Sequence, residues 1–99
     1  LVYGENVQEY VYLVNKYKRE KTIIIGFKEH EDYFKEYKFY NAGSVNNLDE
    51  ISHNIFKLLR KVDKEKADLI IIEGVKKEGI GLAIMNRLLR ACSFNYFEK

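Results

Sequence analysis

The chain has no proline and no tryptophan, a single cysteine, a single methionine and two histidines among 99 residues. Without proline, and with no Gly/Ser-rich stretch or low-complexity run, nothing marks an internal linker, so the sequence reads as one domain. The lone thiol, Cys92, excludes an internal disulfide, and with His30 and His53 it gives no spacing that resembles a zinc set. No apolar run approaches the roughly 20 residues needed to span a bilayer, and no signal-peptide pattern is present. A reducing, cytoplasmic setting without metal or membrane is therefore expected. The first residue is Leu1, inside an apolar run, and on that ground the chain is expected to be a fragment of a longer polypeptide. Charge of one sign is also missing: 17 basic and 15 acidic side chains leave a net +2, which gives no push toward nucleic acid.

What the chain does have is apolar residues, 46% of the total, enough for one core. They fall into a repeated unit, an apolar run that ends in glycine and is followed by a helix-like segment. Leu1-Val2-Tyr3 stops at Gly4, Thr22 to Ile25 at Gly26, Phe39 to Ala42 at Gly43, and Leu69 to Glu73 at Gly74. The isoleucine runs are continuous rather than alternating, as strands buried on both faces require, and predict central parallel strands. Each fully buried large apolar side chain there contributes roughly 1.5 to 3 kcal/mol.

Helix starts are readable between the runs. Asn6 precedes Glu9, and Asn47 precedes Glu50, by three residues, the spacing of a capping box. Val7, Tyr10, Val11, Val14 and Tyr17 then share one helical face, as do Leu48, Ile51, Ile55, Leu58, Leu59 and Val62. Glu29 to Tyr37 reads as a short helix or ordered turn. Strand and helix in alternation predict a three-layer Rossmann-like α/β sandwich with a small, mainly parallel sheet of about four strands, in an order that the pattern leaves open. Ligands of such folds sit outside the carboxyl ends of the strands, here Gly4 to Asn6, Gly26 to Lys28, Gly43 to Asn46 and Gly74 to Gly81.

The Gly79-Ile80-Gly81 helix entrance suggests a phosphate cradle, yet it lacks the third glycine of the dinucleotide fingerprint, where Ile84 stands, and it lies in the closing segment. Cys92 follows Met85, Leu88 and Leu89 at helical intervals and is expected to be a buried structural thiol. A phosphoacceptor site of the receiver type needs clustered carboxylates at strand ends, whereas the third run ends in Asn41-Ala42-Gly43-Ser44; Glu5, Glu31, Asp32 and Glu73 are the scattered acids that remain. Glu73, at the end of a buried strand, is expected to serve as a structural hydrogen-bonding group, with a base the alternative. Basic clusters at Lys16 to Lys21 and Lys57 to Lys64 complement helix dipoles without any ligand, and no RNA-binding signature accompanies Tyr12 or Tyr17, so direct RNA contact is not expected. Arg60, Asp63, Asn86 and Arg87 stand beside strongly apolar helix faces, and Arg60 and Asp63 are spaced to pair at i, i+3.

The stretch Gly79, Gly81, Ala83, Asn86, Arg87, Leu88, Arg90 and Ala91 resembles the closing motif of the carboxyl-terminal domain of long-form threonylcarbamoyl-adenylate synthases, with Cys92 in place of a final alanine. A second motif agrees, in which a strand ending at Gly43 leads into a helix that finishes Leu59-Arg60-Lys61-Val62-Asp63. The resemblance runs from Leu1 to about Ser93. It implies an accessory domain that follows a YrdC-like catalytic domain, which joins L-threonine, bicarbonate and ATP, with magnesium, into threonylcarbamoyl-AMP and pyrophosphate for tRNA modification. The nucleotide pocket of that catalytic domain has no counterpart in this sequence, so no catalytic residue and no cofactor is assigned to the chain. On that resemblance the strand-end loops around Gly74 to Gly81 are expected to dock on the linker or catalytic domain of the same polypeptide, with Arg60, Asp63, Gly79, Gly81, Asn86 and Arg87 as the interdomain or ligand-edge candidates. The competing reading is a stand-alone module that binds ATP or pyrophosphate at Gly79 to Gly81.

Overall fold

Along the chain the elements are Val2–Tyr3 (β1), Val7–Tyr17 (α1), Thr22–Gly26 (β2), a 3-10 helix at Lys28–Phe34, Lys38–Asn41 (β3), Leu48–Val62 (α2), Leu69–Ile72 (β4), Ile80–Ala91 (α3) and Phe97–Glu98 (β5). The structure, a computed structural model, describes residues 1–4, 6–92 and 96–98. Glu5 and Ser93, named above, lie outside the described residues.

The isoleucine runs occupy the places that their burial demands. β2 is buried at every position and lies between β3 and β4, parallel to both, with Ile24 opposite Phe39 and Ile71. β1 pairs in parallel with β5, and one bridge, Val2 to Glu73, joins β1 to the end of β4. The Gly74 N–H donates to the Val2 carbonyl at 2.7 Å across that bridge. The spatial order is therefore β3-β2-β4-β1-β5, with β4 and β1 touching only at their carboxyl ends. The four expected strands are present. The fifth follows the closing helix, and its two residues are too short to carry a periodic signal.

Side chains alternate between the two faces of the strands, and each face is covered. Ile23, Ile25 and Ile72 pack with Ile51, Ile55 and Val62 of α2 and with Ile84, Met85 and Leu88 of α3. Ile24 and Ile71 pack on the other face with Tyr10, Leu13 and Val14 of α1 and with Phe34 of the 3-10 helix. This gives the three layers. Asn6 and Asn47 cap α1 and α2 as their spacing predicts, accepting from the N–H groups of Glu9 and Glu50 at 3.0 and 3.2 Å.

Local boundaries differ from expectation in two places. β3 spans Lys38–Asn41, one residue earlier than read: the Ala42 N–H makes the last bond to β2, at the Gly26 carbonyl, and beyond it the Gly43 N–H turns back to the Asn41 side chain. Cys92 is half-buried rather than buried: it caps the carboxyl end of α3, where the helix leaves the core.

Candidate functional site

The course of the connections reverses between the parallel strands β2 and β4. β2 leads outward to β3, whereas β4 leads through α3 to the opposite side, so the crevice of the fold opens at the carboxyl ends of these two strands. Glu73 fills it. Its carboxylate is 3% exposed at residue level, one oxygen accepting the Phe27 N–H at 3.1 Å and the other lying 2.6 Å from His30 Nδ1. Gly26 leaves the room, since a Cβ there would stand 2.9 Å from the Glu73 oxygen.

Electrostatics follow from this geometry. Burial raises the Glu73 pKa, and the hydrogen bond to Glu73 raises that of His30. Both shifts favour a proton held between the two groups. The Tyr10 ring packs near His30, with centroids 6.2 Å apart, and its buried hydroxyl finds no hydrogen-bond partner among the described residues. Burial lifts its pKa well above the usual phenol value.

The neighbouring turns are similarly tied down. The Lys28 N–H donates to the Gly43 carbonyl and the Ala42 N–H to that of Gly26, each at 2.9 Å. Glu29 accepts from the Val45 N–H at 2.9 Å, and its hydrogen bonds to Ser44 and Val45 lower its pKa.

At the entrance of α3, Gly79 holds a positive φ of 56°, a backbone conformation that glycine adopts without strain. Gly81 is required for a different reason: a Cβ would lie 2.1 Å from the Lys76 carbonyl oxygen. The N–H groups of Gly81 and Leu82 donate to the carbonyls of Glu78 and Gly79 at 2.9 and 3.1 Å. Two donors that a phosphate cradle would present are thus engaged by the chain's own backbone. Among the described residues no group of three His, Cys, Asp or Glu side chains is placed to hold a metal ion.

The residues singled out in the sequence do not converge on one place. Gly79 and Gly81 stand at the carboxyl edge of the sheet. Asn86 and Arg87 are exposed farther along α3, where the Arg87 guanidinium stacks over Phe56 of α2 at 4.0 Å and ties the two helices together. Arg60 and Asp63 lie at the far end of α2, beside the amino edge, and no ion pair joins them among the described residues. Asp63 lines a groove of about 400 Å³ between β1 and β4, with Arg19, Leu59, Leu69 to Ile72 and Cys92. His30 escaped the sequence reading because its partner is 43 residues away, and only the parallel register of β2 and β4 brings them together. The one available signal was an acid at the end of a buried strand.

These features define the class, a three-layer, doubly wound α/β domain whose carboxyl-edge crevice is closed by its own side chains. The chain belongs to the family of threonylcarbamoyl-AMP synthase C-terminal domains, whose model matches residues 2–93. It is 39% identical over 88 residues to a threonylcarbamoyl-AMP synthase from Pyrococcus abyssi, covering 87% of this chain and 24% of that protein. A Schizosaccharomyces pombe synthase is 50% identical over 44 residues, covering 44% of this chain and 11% of that protein. The crystal structure of P. abyssi Sua5 complexed with L-threonine superimposes with a TM-score of 0.76 at 30% identity, over 99% of this chain and 29% of that one. The C-terminal Sua5 domain from Pyrococcus horikoshii gives 0.59 at 36% identity, over 87% of this chain and 83% of that one. The chain thus spans about a quarter of the P. abyssi relative. No helix among its described residues is long and apolar enough to cross a membrane.

Proposed function

We propose that the chain works as the accessory domain of a two-domain threonylcarbamoyl-AMP synthase and docks on the catalytic domain through the carboxyl edge of its sheet. The parent would join L-threonine, bicarbonate and ATP, releasing pyrophosphate, and this domain would cover that site and exclude water from a labile intermediate. The carrying observation is an exposed apolar pair at the entrance of α3. Ile80 and Leu82 are 53% and 46% exposed beside a turn whose backbone is internally bonded, a rigid surface suited to packing against protein. The engaged N–H groups of Gly81 and Leu82 weigh against the phosphate-binding alternative.

The test is pyrophosphate release by the two-domain protein carrying Ile80→Glu and Leu82→Glu. Both side chains are exposed, so the fold is expected to survive, while activity falls about tenfold, the equivalent of roughly 1.4 kcal/mol of docking. Unchanged activity would remove this surface from the reading. Micromolar binding of ATP or pyrophosphate by this chain alone would favour the stand-alone module.

A further inference from the structure

We infer that His30 is the polar anchor of the docking face: its outward Nε2–H donates to a neutral carbonyl oxygen of the catalytic domain, which links docking to the proton that His30 shares with Glu73. This rests on the reading above, that the carboxyl edge meets a catalytic domain.

The setting of the ring carries the argument. Nδ1 lies 2.6 Å from an oxygen of the buried Glu73 carboxylate, so one ring nitrogen points into the crevice at the ends of β2 and β4. The other nitrogen of an imidazole diverges from the first, which turns Nε2 away from that crevice. The side chain is 21% exposed, and Nε2 is not buried and makes no hydrogen bond among the described residues. Glu73 is followed directly by Gly74, where the turn toward Ile80 and Leu82 begins, so His30 is anchored to the same edge as that exposed apolar pair.

Aromatic rings hold the imidazole in place. The centroids of Tyr10, Phe27 and Tyr33 lie 6.2, 5.7 and 6.4 Å from that of His30. Tyr10 and Phe27 are buried, whereas Tyr33 is 57% exposed and meets the imidazole edge-on at 84°. A fixed polar group beside an exposed tyrosine is the kind of anchor on which protein interfaces concentrate their energy.

Proton counting selects the partner. With one proton held between Glu73 and Nδ1, Nε2 carries a hydrogen whichever group that proton sits on, and the pair as a unit is neutral. Loss of a proton leaves Nδ1–H bonded to a carboxylate and Nε2 as a bare acceptor. The other titratable groups that face the ring are the Tyr10 phenol from α1 and Glu29 and Tyr33 on its own 3-10 helix. Burial keeps Tyr10 protonated, and Glu29 is occupied by the Val45 N–H and Ser44. A neutral unit is covered by protein at least cost when its partner is neutral too, and a carboxylate or phosphate there would leave excess negative charge beside Glu73. A carbonyl oxygen accepts from Nε2–H without that penalty and faces a lone pair once the proton is lost.

Amide exchange on the two-domain protein at about pH 6 and about pH 9 tests the link, with protection of 74–82 taken relative to the β2 amides so that the domain's own stability cancels. Protection of 74–82 should fall at least about tenfold between the two, and in His30→Gln it should be the same at both. The native protein decides even if that variant is loosened. Native protection that does not change with pH would overturn the proposal while leaving the docking reading in place, and so would an equal fall in His30→Gln. No protection of 74–82 at either pH would remove the docking reading as well. Loss of protection on adding pyrophosphate, or sodium chloride to about 1 M, would mean that a charged group meets Nε2 and would overturn the neutral carbonyl.

Discussion

At the carboxyl edge of the sheet, both oxygens of Glu73 are bonded, Gly26 leaves room for the Glu73 carboxylate, Gly81 lets the Lys76 carbonyl close in, and the N–H groups of Gly81 and Leu82 are engaged. At the amino edge, a groove beside β4 reaches Arg19, Asp63 and Cys92. The first edge is where folds of this kind hold ligands, yet here it is packed by the domain's own groups. The contrast is one of packing: the carboxyl edge is filled by the domain's own groups, and the amino edge is the more open of the two.

The largest effect expected at the closed edge comes from Gly81→Ala, because the new Cβ meets the backbone oxygen of Lys76, which no rotamer change can move aside. A loss of about 3 kcal/mol or more is expected in urea unfolding. A loss below 1 kcal/mol would show that the α3 entrance is looser than described.

Glu73→Ala should cost about 3 kcal/mol, since it strands the buried Phe27 N–H and removes the partner of His30. The pair also sets a pH dependence. His30 is raised in the folded state, so its contribution is complete below the unfolded value of about 6.5 and is lost as pH rises through the folded value. Glu73 is raised as well, by burial, so the folded state binds its proton more tightly and stability again falls as the group ionises above about pH 4.5. Both act in one direction. The thermal midpoint should fall between about pH 5 and 8, and His30→Gln should flatten that slope; an unchanged slope in the variant would dissociate His30 from Glu73.

The smallest effect should come from Arg60→Ala, on an exposed position at the amino edge, within about 0.5 kcal/mol of the parent in stability. A larger loss would mean that the open edge is more tightly organised than its contacts indicate.

How far the sequence revealed this contrast depended on the range of the interactions. The isoleucine runs and the Asn6 and Asn47 caps are local signals, and they placed both helices and the central strands. The glycines pointed to the carboxyl edge and to a shaped turn there, but the reason that Gly81 is needed, the clash of a Cβ with Lys76, exists only after the turn has folded. His30 with Glu73, and the splaying of β1 from β4, depend on strand order, which periodicity does not encode. Arg60 and Asn86 were grouped by their polarity beside apolar faces, a pattern that does not report which end of a helix meets which edge.

The central claim is that the carboxyl edge meets the catalytic domain, and amide exchange compared between this chain alone and the two-domain protein tests it most directly. The account predicts slower exchange across residues 74–82 in the two-domain protein, with Arg60 to Asp63 unchanged. Equal exchange across 74–82 in both proteins, or protection confined to Arg60 to Asp63, would contradict it.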